Sequence, residues 1–397
     1  MKNLRILFFG GTFVNYEISK KCIQLGAKCF FSDENRNCFV SKNKNFININ
    51  FNDRKKIIKF IRKKKINFLY ISQSDVGIRS LGYLNTKLKL PGINYSLAKI
   101  LTDKLKIRKV LTKNGFYQPK FIDKTNIKKL RNFIKNKVFI IKPTDSSGSR
   151  GIQDIRNNQN LNKIIRNSVS FSKSRKNIIE EKVYGTEFGA QTFSINGECK
   201  HVILHDDFMS TINNKIPVGH AMPFTFIKNK NEKKRVETII SKAVNILGVK
   251  NGPCNVDCIY TKNNKLAILE ISPRVGATCL PQMLKIYTGV DWDLNAIKIH
   301  NSIKIEKISE RKINVAAKVL ESRKTGFLKE ILFSKKYKNT KLRFLVKKNQ
   351  KINKFTDGSK LFGYAISHGQ NYKKVMKNIN SLIVSIKIKL KKNVNIN

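Results

Sequence analysis

The chain has 397 residues, room for two or three domains at about 150 residues each. Its 41% hydrophobic and 27% charged residues are a globular composition, and no run approaches the roughly 18 uninterrupted apolar residues of a membrane span, which excludes a transmembrane protein. The 80 Lys+Arg against 26 Asp+Glu give +54, yet Lys, Asn and Ile crowd every part of the chain, as A/T-rich coding produces, so the charge marks no particular partner.

At the amino terminus, Lys2 and Arg5 flank a short apolar run, Ile6 to Phe9, that is too brief for a signal-peptide core and ends at Gly10-Gly11. A cytoplasmic protein that starts with a strand is expected. Ile18, Cys22, Ile23 and Leu25 then recur at helical spacing up to Gly26, and Lys28 to Phe31 form a second strand ending at Ser32-Asp33. A helix around Ile57 to Arg62 and a strand at Phe68 to Ser72 complete a small parallel, Rossmann-like sheet. Neither G-x-G-x-x-G nor a Walker loop is present, which disfavours dinucleotide or P-loop chemistry.

Leu97, Ile100, Leu101, Leu105, Val110 and Leu111 predict one helix, capped by Ser96 and stopped by Gly115. Strands follow near Lys137 to Ile141, Ile178 to Lys182, Phe188 to Ile195, Lys200 to His205, Asn255 to Tyr260 and Leu266 to Ile271, with a helix from about Val236 to Leu247. This irregular alternation suits α+β. The tail from about Ile305 carries strand-like runs at Val315 to Leu320, Leu342 to Val346 and Gly363 to Ser367 and a helix near Tyr372 to Val384, as a third, smaller domain. The seven cysteines show neither a CxxC nor a zinc-type spacing, so disulfides and structural zinc are not expected, and Cys254 and Cys258 read as buried small residues on one strand face. The basic runs Arg62-Lys63-Lys64-Lys65 and Lys391-Lys392 lie scattered, without the interleaved aromatics of a polyanion binder.

The most informative stretch is Ile140 to Ile152, a strand ending in Lys142 followed by small polar residues and glycines. Backbone amides free of bulky side chains can approach phosphate oxygens, and a lysine at the strand end adds a point charge. Alone, the stretch is equally a surface hairpin. Downstream, Asn255 to Tyr260 and Leu266 to Arg274 are two strands joined by a polar turn at Asn263-Asn264, each carrying one acid among apolar neighbours. Antiparallel pairing would set Asp257 beside Glu270, the hard oxygen ligands Mg²⁺ prefers; two solvent-facing acids on a hairpin are the plainer alternative.

In this order the residues resemble the ATP-grasp superfamily, near the carbamoyl-phosphate synthase large chain and the L-amino acid ligases. The resemblance runs over roughly residues 4 to 305: Gly10-Gly11, Ser74-Asp75-Val76, Leu101 to Lys104, Lys142 to Gly151, Ile179 to Val183, Gly185-Thr186-Glu187, Asn255 to Asp257 and Leu269 to Arg274. It implies a mixed α/β and α+β chain: a Rossmann-like pre-ATP-grasp domain (1–95), a two-subdomain ATP-grasp domain (96–305) and a small C-terminal α+β domain (306–397). By the same resemblance Lys104 and Lys142 contact the ATP phosphates, and Ser146, Ser147, Gly148, Ser149, Arg150 and Gly151 form a mobile lid. The backbone of Glu180, Glu181, Lys182 and Val183 meets the adenine edge, and Glu187 accepts the ribose hydroxyls. Asp257 and Glu270 bind Mg²⁺, with Mn²⁺ as an acceptable substitute, and Arg274 steadies the transferred phosphoryl group. Ser272 stands where the family usually has Asn, which weakens a second metal position but leaves the first.

The implied activity is an ATP-dependent carboxylate-amine ligase that takes a small carboxylate and an amine, needs no nucleic acid or membrane, and is compatible with a homodimer. Pro217 to Pro223 is similar to a Gly-His-x-x-Pro loop of the L-amino acid ligases, which makes His220 a candidate to orient or deprotonate the amine; a packed loop histidine is the bland alternative. His205 with Asp206-Asp207 ranks lower, as ordinary surface acids beside a strand end. Met222 and Met283 read as core. The competing function is a non-catalytic nucleotide- or polyanion-binding protein on the same fold.

Overall fold

The computed structural model describes residues 1–122, 138–156, 160–212, 216–334, 337–358 and 360–391. Of the predicted features, Lys137 at the start of a strand and Lys392 of a basic run lie outside these residues.

The amino-terminal elements are β1 (Arg5–Phe9), α1 (Phe13–Gln24), β2 (Lys28–Ser32), β3 (Phe46–Ile47), α2 (Arg54–Lys64), β4 (Phe68–Tyr70) and α3 (Ile78–Leu88). The strands form a parallel sheet in the order β3-β2-β1-β4. Both of its faces are buried, which is why its strands read as continuous apolar runs. Ile6, Phe8, Cys29, Phe31 and Phe68 face one core with Ile18 and Cys22 of α1, while Leu7, Phe9, Phe30 and Leu69 face another with Ile57, Ile61, Leu81 and Leu84. The run Arg62 to Lys65 closes α2, where cations complement the helix carboxyl end, so an ordinary structural role accounts for it.

Next come α4 (Tyr95–Leu101), α5 (Lys104–Lys113), β5 (Phe121–Ile122), β6 (Phe139–Pro143), β7 (Gln153–Ile155), α6 (Leu161–Ser170) and β8 (Asn177–Glu181). The single helix expected over residues 96–114 is two helices. Asp103 interrupts it: its carboxylate accepts from the amides of Leu105 and Lys106 and caps α5, while Asn94, not Ser96, caps α4. Apolar periodicity runs through such a break unaltered, because the short link keeps both helices facing the same core. Strands β5, β8, β6 and β7 form a four-stranded antiparallel sheet.

The remaining elements are β9 (Gly185–Ile195), β10 (Glu198–Met209), β11 (Pro217–Met222), α7 (Lys230–Ile246), β12 (Gly252–Thr261), β13 (Leu266–Ser272), α8 (Leu280–Thr288), α9 (Trp292–His300), β14 (Asn314–Leu320), β15 (Gly326–Leu332), β16 (Thr340–Phe344), β17 (Lys351–Ile352), β18 (Gly363–Gly369), α10 (Tyr372–Ser385) and β19 (Lys387–Lys391). One eight-stranded sheet runs β13-β12-β9-β10-β11-β14-β18-β16, so strands from the tail continue the same sheet; β17, β15 and β19 make a separate three-stranded one. On one face of the large sheet Phe188, Ala190, Leu204, Cys254, Val256 and Cys258 pack against Val236, Ile240, Ala243 and Val244 of α7. All seven cysteines are unpaired, and Met222 and Met283 are in the core. Among the described residues no helix is long and apolar enough to cross a membrane.

Arg108 on α5 ties the small sheet to the large one. Its guanidinium is 1% exposed and donates to Glu180 of β8 at 2.9 Å, to the Gln118 side chain at 2.6 Å and to the carbonyls of Ile268 and Leu269 on β13. Lys142 of β6 closes on the same Glu180 from the other side. Burial alone would raise the Glu180 carboxyl, but Arg108 and then Lys142 overcome it and hold the group down at about 2. Replacing Arg108 by Met strands part of a buried charge and should cost about 3 kcal/mol in urea unfolding, with a smaller loss when Glu180→Leu accompanies it. Because the folded value of about 2 lies below the ordinary 4.5, the folded chain binds fewer protons in that window. Stability should therefore fall as pH drops from about 4.5 to about 2, and less so in the double variant, as acid-unfolding curves would show.

Candidate active site

The second face of the large sheet carries the candidate residues. Asp257 on β12 stands directly opposite Glu270 on β13, and Asn255 opposite Ser272. Across the other edge of β12, Gly189 and Gln191 of β9 oppose Asp257 and Asn255. Directly opposed residues share a face, so two acids, an amide pair and a serine form one polar row while their chain neighbours fill the core behind. Burial, Glu270 alongside and Asp207 farther along the face push the Asp257 carboxyl up to about 7. A hard dication at this oxygen pair would relieve that repulsion, so the donor set fits Mg²⁺.

Cations converge on the row. Lys104, first residue of α5, reaches Glu270 at 3.1 Å and donates to the Ser146 carbonyl at 2.7 Å, and its backbone amide donates to the Thr144 carbonyl at 2.8 Å. The helix break at Asp103 thus places Lys104 where two elements meet. Arg274, just past β13, forms a two-pronged pair with Asp75 from the loop after β4, at 2.7 and 3.1 Å. Burial opposes the Asp75 charge, but Arg274, the Ser272 hydroxyl and Lys104 hold its carboxyl below the usual range. Sequence reasoning placed Asp75 in the family pattern without giving it this task.

The loop after β6 closes one side. Asp145 anchors its base by accepting from the Ser172 hydroxyl and from the amides of Lys173 and Ser174. Gly148 has φ +67° and open space around it, Ser149 also lies in the left-handed region, and Arg150 donates to the Ser147 carbonyl. At Gly151 a Cβ would meet Pro143 and Phe171 at 2.8 and 2.9 Å, so glycine is required there. A cleft of about 280 Å³ is lined by Asp75, Arg79, Lys104, Ser146, Arg150 and Glu270 among others. Arg79 on α3 was not anticipated: it donates to both oxygens of Thr102 and reaches Asp145 at 3.4 Å, bracing the helix break against the loop.

Glu180 is a buried counter-ion by its side chain, while Glu181, Lys182 and Val183 are partly exposed at and beyond the end of β8, with Lys182 paired to Asp154 at 2.9 Å. Glu187 is exposed on β9. Two expectations are corrected. His220 lies not in a loop but on β11, 4% exposed, and of the cluster ranked as surface acids His205 is 1% exposed and the Asp207 side chain 8%, while Asp206 stays partly exposed. The loop was expected from the similarity to the Gly-His-x-x-Pro loop of the L-amino acid ligases, yet β11 is paired on both sides, by β10 and β14.

Residues 101–278 match the sequence profile of the ATP-grasp domain. No curated protein matches the chain in sequence. Among solved structures, phosphoribosylglycinamide synthetase from Anaerococcus prevotii is similar at 25% identity and TM-score 0.76, over 98% of this chain and 100% of that one. The L-amino acid ligase from Bacillus licheniformis matches at 15% identity and TM-score 0.80, over 99% and 100%. The biotin carboxylase domain dimer of Hydrogenobacter thermophilus 2-oxoglutarate carboxylase, solved with MgADP and bicarbonate, matches at 13% and 0.78, over 98% and 91%. Residues 101–278 thus carry an ATP-grasp domain, and the fold of the chain is shared along its whole length with these structures.

Proposed function

We propose that the chain is an ATP-dependent ligase that activates a small carboxylate as an acyl-phosphate and joins it to an amine, releasing ADP and phosphate. The observation that carries this reading is the linked set in which Asp257 stands opposite Glu270, Lys104 reaches Glu270, and Asp75, which lines the same cleft as Lys104 and Glu270, holds Arg274. The similar structures include a named ligase, a synthetase and a carboxylase domain holding MgADP, which agrees with it. In this reading residues 1–95 are the pre-ATP-grasp unit, 96–305 hold nucleotide and substrate, and 306–397 are a small C-terminal domain. A cytoplasmic homodimer belongs to the same reading.

Lys104 and Lys142 would take the phosphates, leaving Glu270 and Glu180 as the carboxylates that hold them beforehand. The backbone of Glu180 to Val183 would meet adenine and Glu187 the ribose. Asp257 and Glu270, with Ser272, would hold Mg²⁺ or Mn²⁺, whose charge offsets that of the triphosphate. A carboxylate oxygen attacks the γ-phosphate, and Arg274, its planar fork fixed by Asp75, steadies the phosphoryl oxygens through the transfer. Amine attack at the acyl carbon then expels phosphate. Water would intercept the acyl-phosphate, which gives Ser146 to Gly151 their task as a lid.

The test is phosphate release from ATP and Mg²⁺ with pooled amino acids: a ligase releases it only with substrate, and a non-catalytic binder releases none. Glu270→Gln should abolish release with an unchanged melting temperature, since an amide keeps the volume but not the anionic ligand. Arg274→Lys keeps charge but loses the fork, and should cost about 1.5 to 3 kcal/mol in transition-state stabilisation. Neutralising Arg62 to Lys65 should leave turnover nearly unchanged; a greater loss there than in Arg274→Lys would place function on the basic surface instead. Hydrogen exchange at Ser147, Gly148 and Ser149 should slow when ATP and Mg²⁺ are added, and equal protection in both states would make the loop an ordinary hairpin.

A further inference from the structure

On the same sheet face, beyond Gly189, lies a cluster that the mechanism above has not used in full. His205 and Asp207 are two residues apart on β10, and His220 of β11 stands opposite Asp207. A single oxygen, Asp207 Oδ1, sits 2.8 Å from His205 Nδ1 and 2.6 Å from His220 Nδ1. Burial would raise the Asp207 carboxyl, but the two imidazoles hold it well below the usual carboxylate range. Room for the His205 ring exists only because residue 189 is glycine, where a Cβ would lie 2.2 Å from the ring.

Two chemistries suit such a group. The three ligand atoms lie within 4.8 Å of one another, as a divalent metal would require. A metal on both Nδ1 atoms, however, forces each proton onto Nε2. His205 Nε2 faces Gln191 Nε2 at 3.3 Å, and the orientation of that amide is fixed from outside. The backbone amide of Gly276 donates to Gln191 Oε1 at 2.8 Å, and Gln191 Nε2 donates to Asn255 Oδ1 at 2.6 Å, whose own Nδ2 donates to Asp257 at 2.8 Å. Gln191 therefore presents N–H to His205, and a proton on His205 Nε2 would set donor against donor in a buried site. The network admits the Nδ1–H tautomer and opposes the metal.

We infer that Asp207 is a positioning residue that keeps His205 and His220 as Nδ1–H tautomers, leaving His220 Nε2 unprotonated as the base for the amine substrate. This rests on the ligase reading. As the amine nitrogen bonds to the acyl carbon and the acyl–oxygen bond to phosphate breaks, the ammonium proton passes to His220 Nε2, and Asp207 offsets the imidazolium so formed. His205 is the second donor that keeps Asp207 ionised and in place.

The chain has five histidines, so long-range ¹H–¹⁵N spectra of the full-length protein labelled in histidine, assigned by replacing His201, His300 and His368, read the two tautomers directly. Protons on Nδ1 with bare Nε2 at both positions are expected near neutral pH. A proton on Nε2 of either neutral ring, or stoichiometric Zn²⁺ binding that moves both sets of signals, would overturn the inference. Asp207→Asn, which offers one acceptor and one donor, should switch one ring to Nε2–H; two unchanged rings would show that Asp207 does not set them. With an active substrate pair, Asp207→Asn should lower kcat at least tenfold and leave the KM for ATP within about twofold. Because the tautomers are read without turnover, failure here and failure of the ligase reading are distinguishable.

Discussion

A buried guanidinium is the constraint on which the rest of the molecule depends. Arg108 spends its donors on a carboxylate of one sheet, a side-chain amide and two main-chain carbonyls of another. Lysine has no planar fork and could not satisfy so divergent a set of acceptors. The two sheets are thus joined here by directional polar bonds, to which Lys104 adds its own contacts with Glu270 and the Ser146 carbonyl. Hydrophobic contact is non-directional and would let the layers slide, whereas this arrangement fixes both separation and register.

The large sheet divides its labour by the period of two. Phe188, Ala190, Val256 and Cys258 look into the core, and the residues between them, Gly189, Gln191, Asn255 and Asp257, build the site. A buried polar row is tolerable only when its members satisfy one another. Here Gly276 N–H, Gln191, Asn255 and Asp257 form a chain in which each amide has a definite direction, and Gly276 leaves the space for it: a Cβ there would lie 2.4 Å from Asn255.

What could be read in the sequence was what is local. The apolar alternation of β12 and β13 and the polar turn between them were enough to set Asp257 against Glu270. The strand-then-glycine pattern marked the loop after β6, and the buried character of Cys254 and Cys258 followed from their spacing. Non-local chemistry was hidden. Arg108 reads as one more basic residue in a helix of a chain with 80 Lys+Arg, and only its distant acceptors distinguish it. Asp103 interrupts a helix whose apolar rhythm carries on undisturbed. His205 and Asp207 on β10 meet His220 only through the pairing with β11, a strand that the similarity to a ligase loop hid.

The continuity of the eight-stranded sheet also bears on how the protein can be dissected. His220 sits on a strand whose outer neighbour, β14, comes from beyond residue 305. Cutting the chain there would leave β11 as a bare edge, offering unpaired amides beside Val218, Ala221 and Met222, which are buried in the intact molecule. Such a fragment invites intermolecular strand addition more than nucleotide binding. The profile-matched segment is therefore not an excisable module, and the tail acts as a partition that keeps the face bearing His220 from pairing with other molecules.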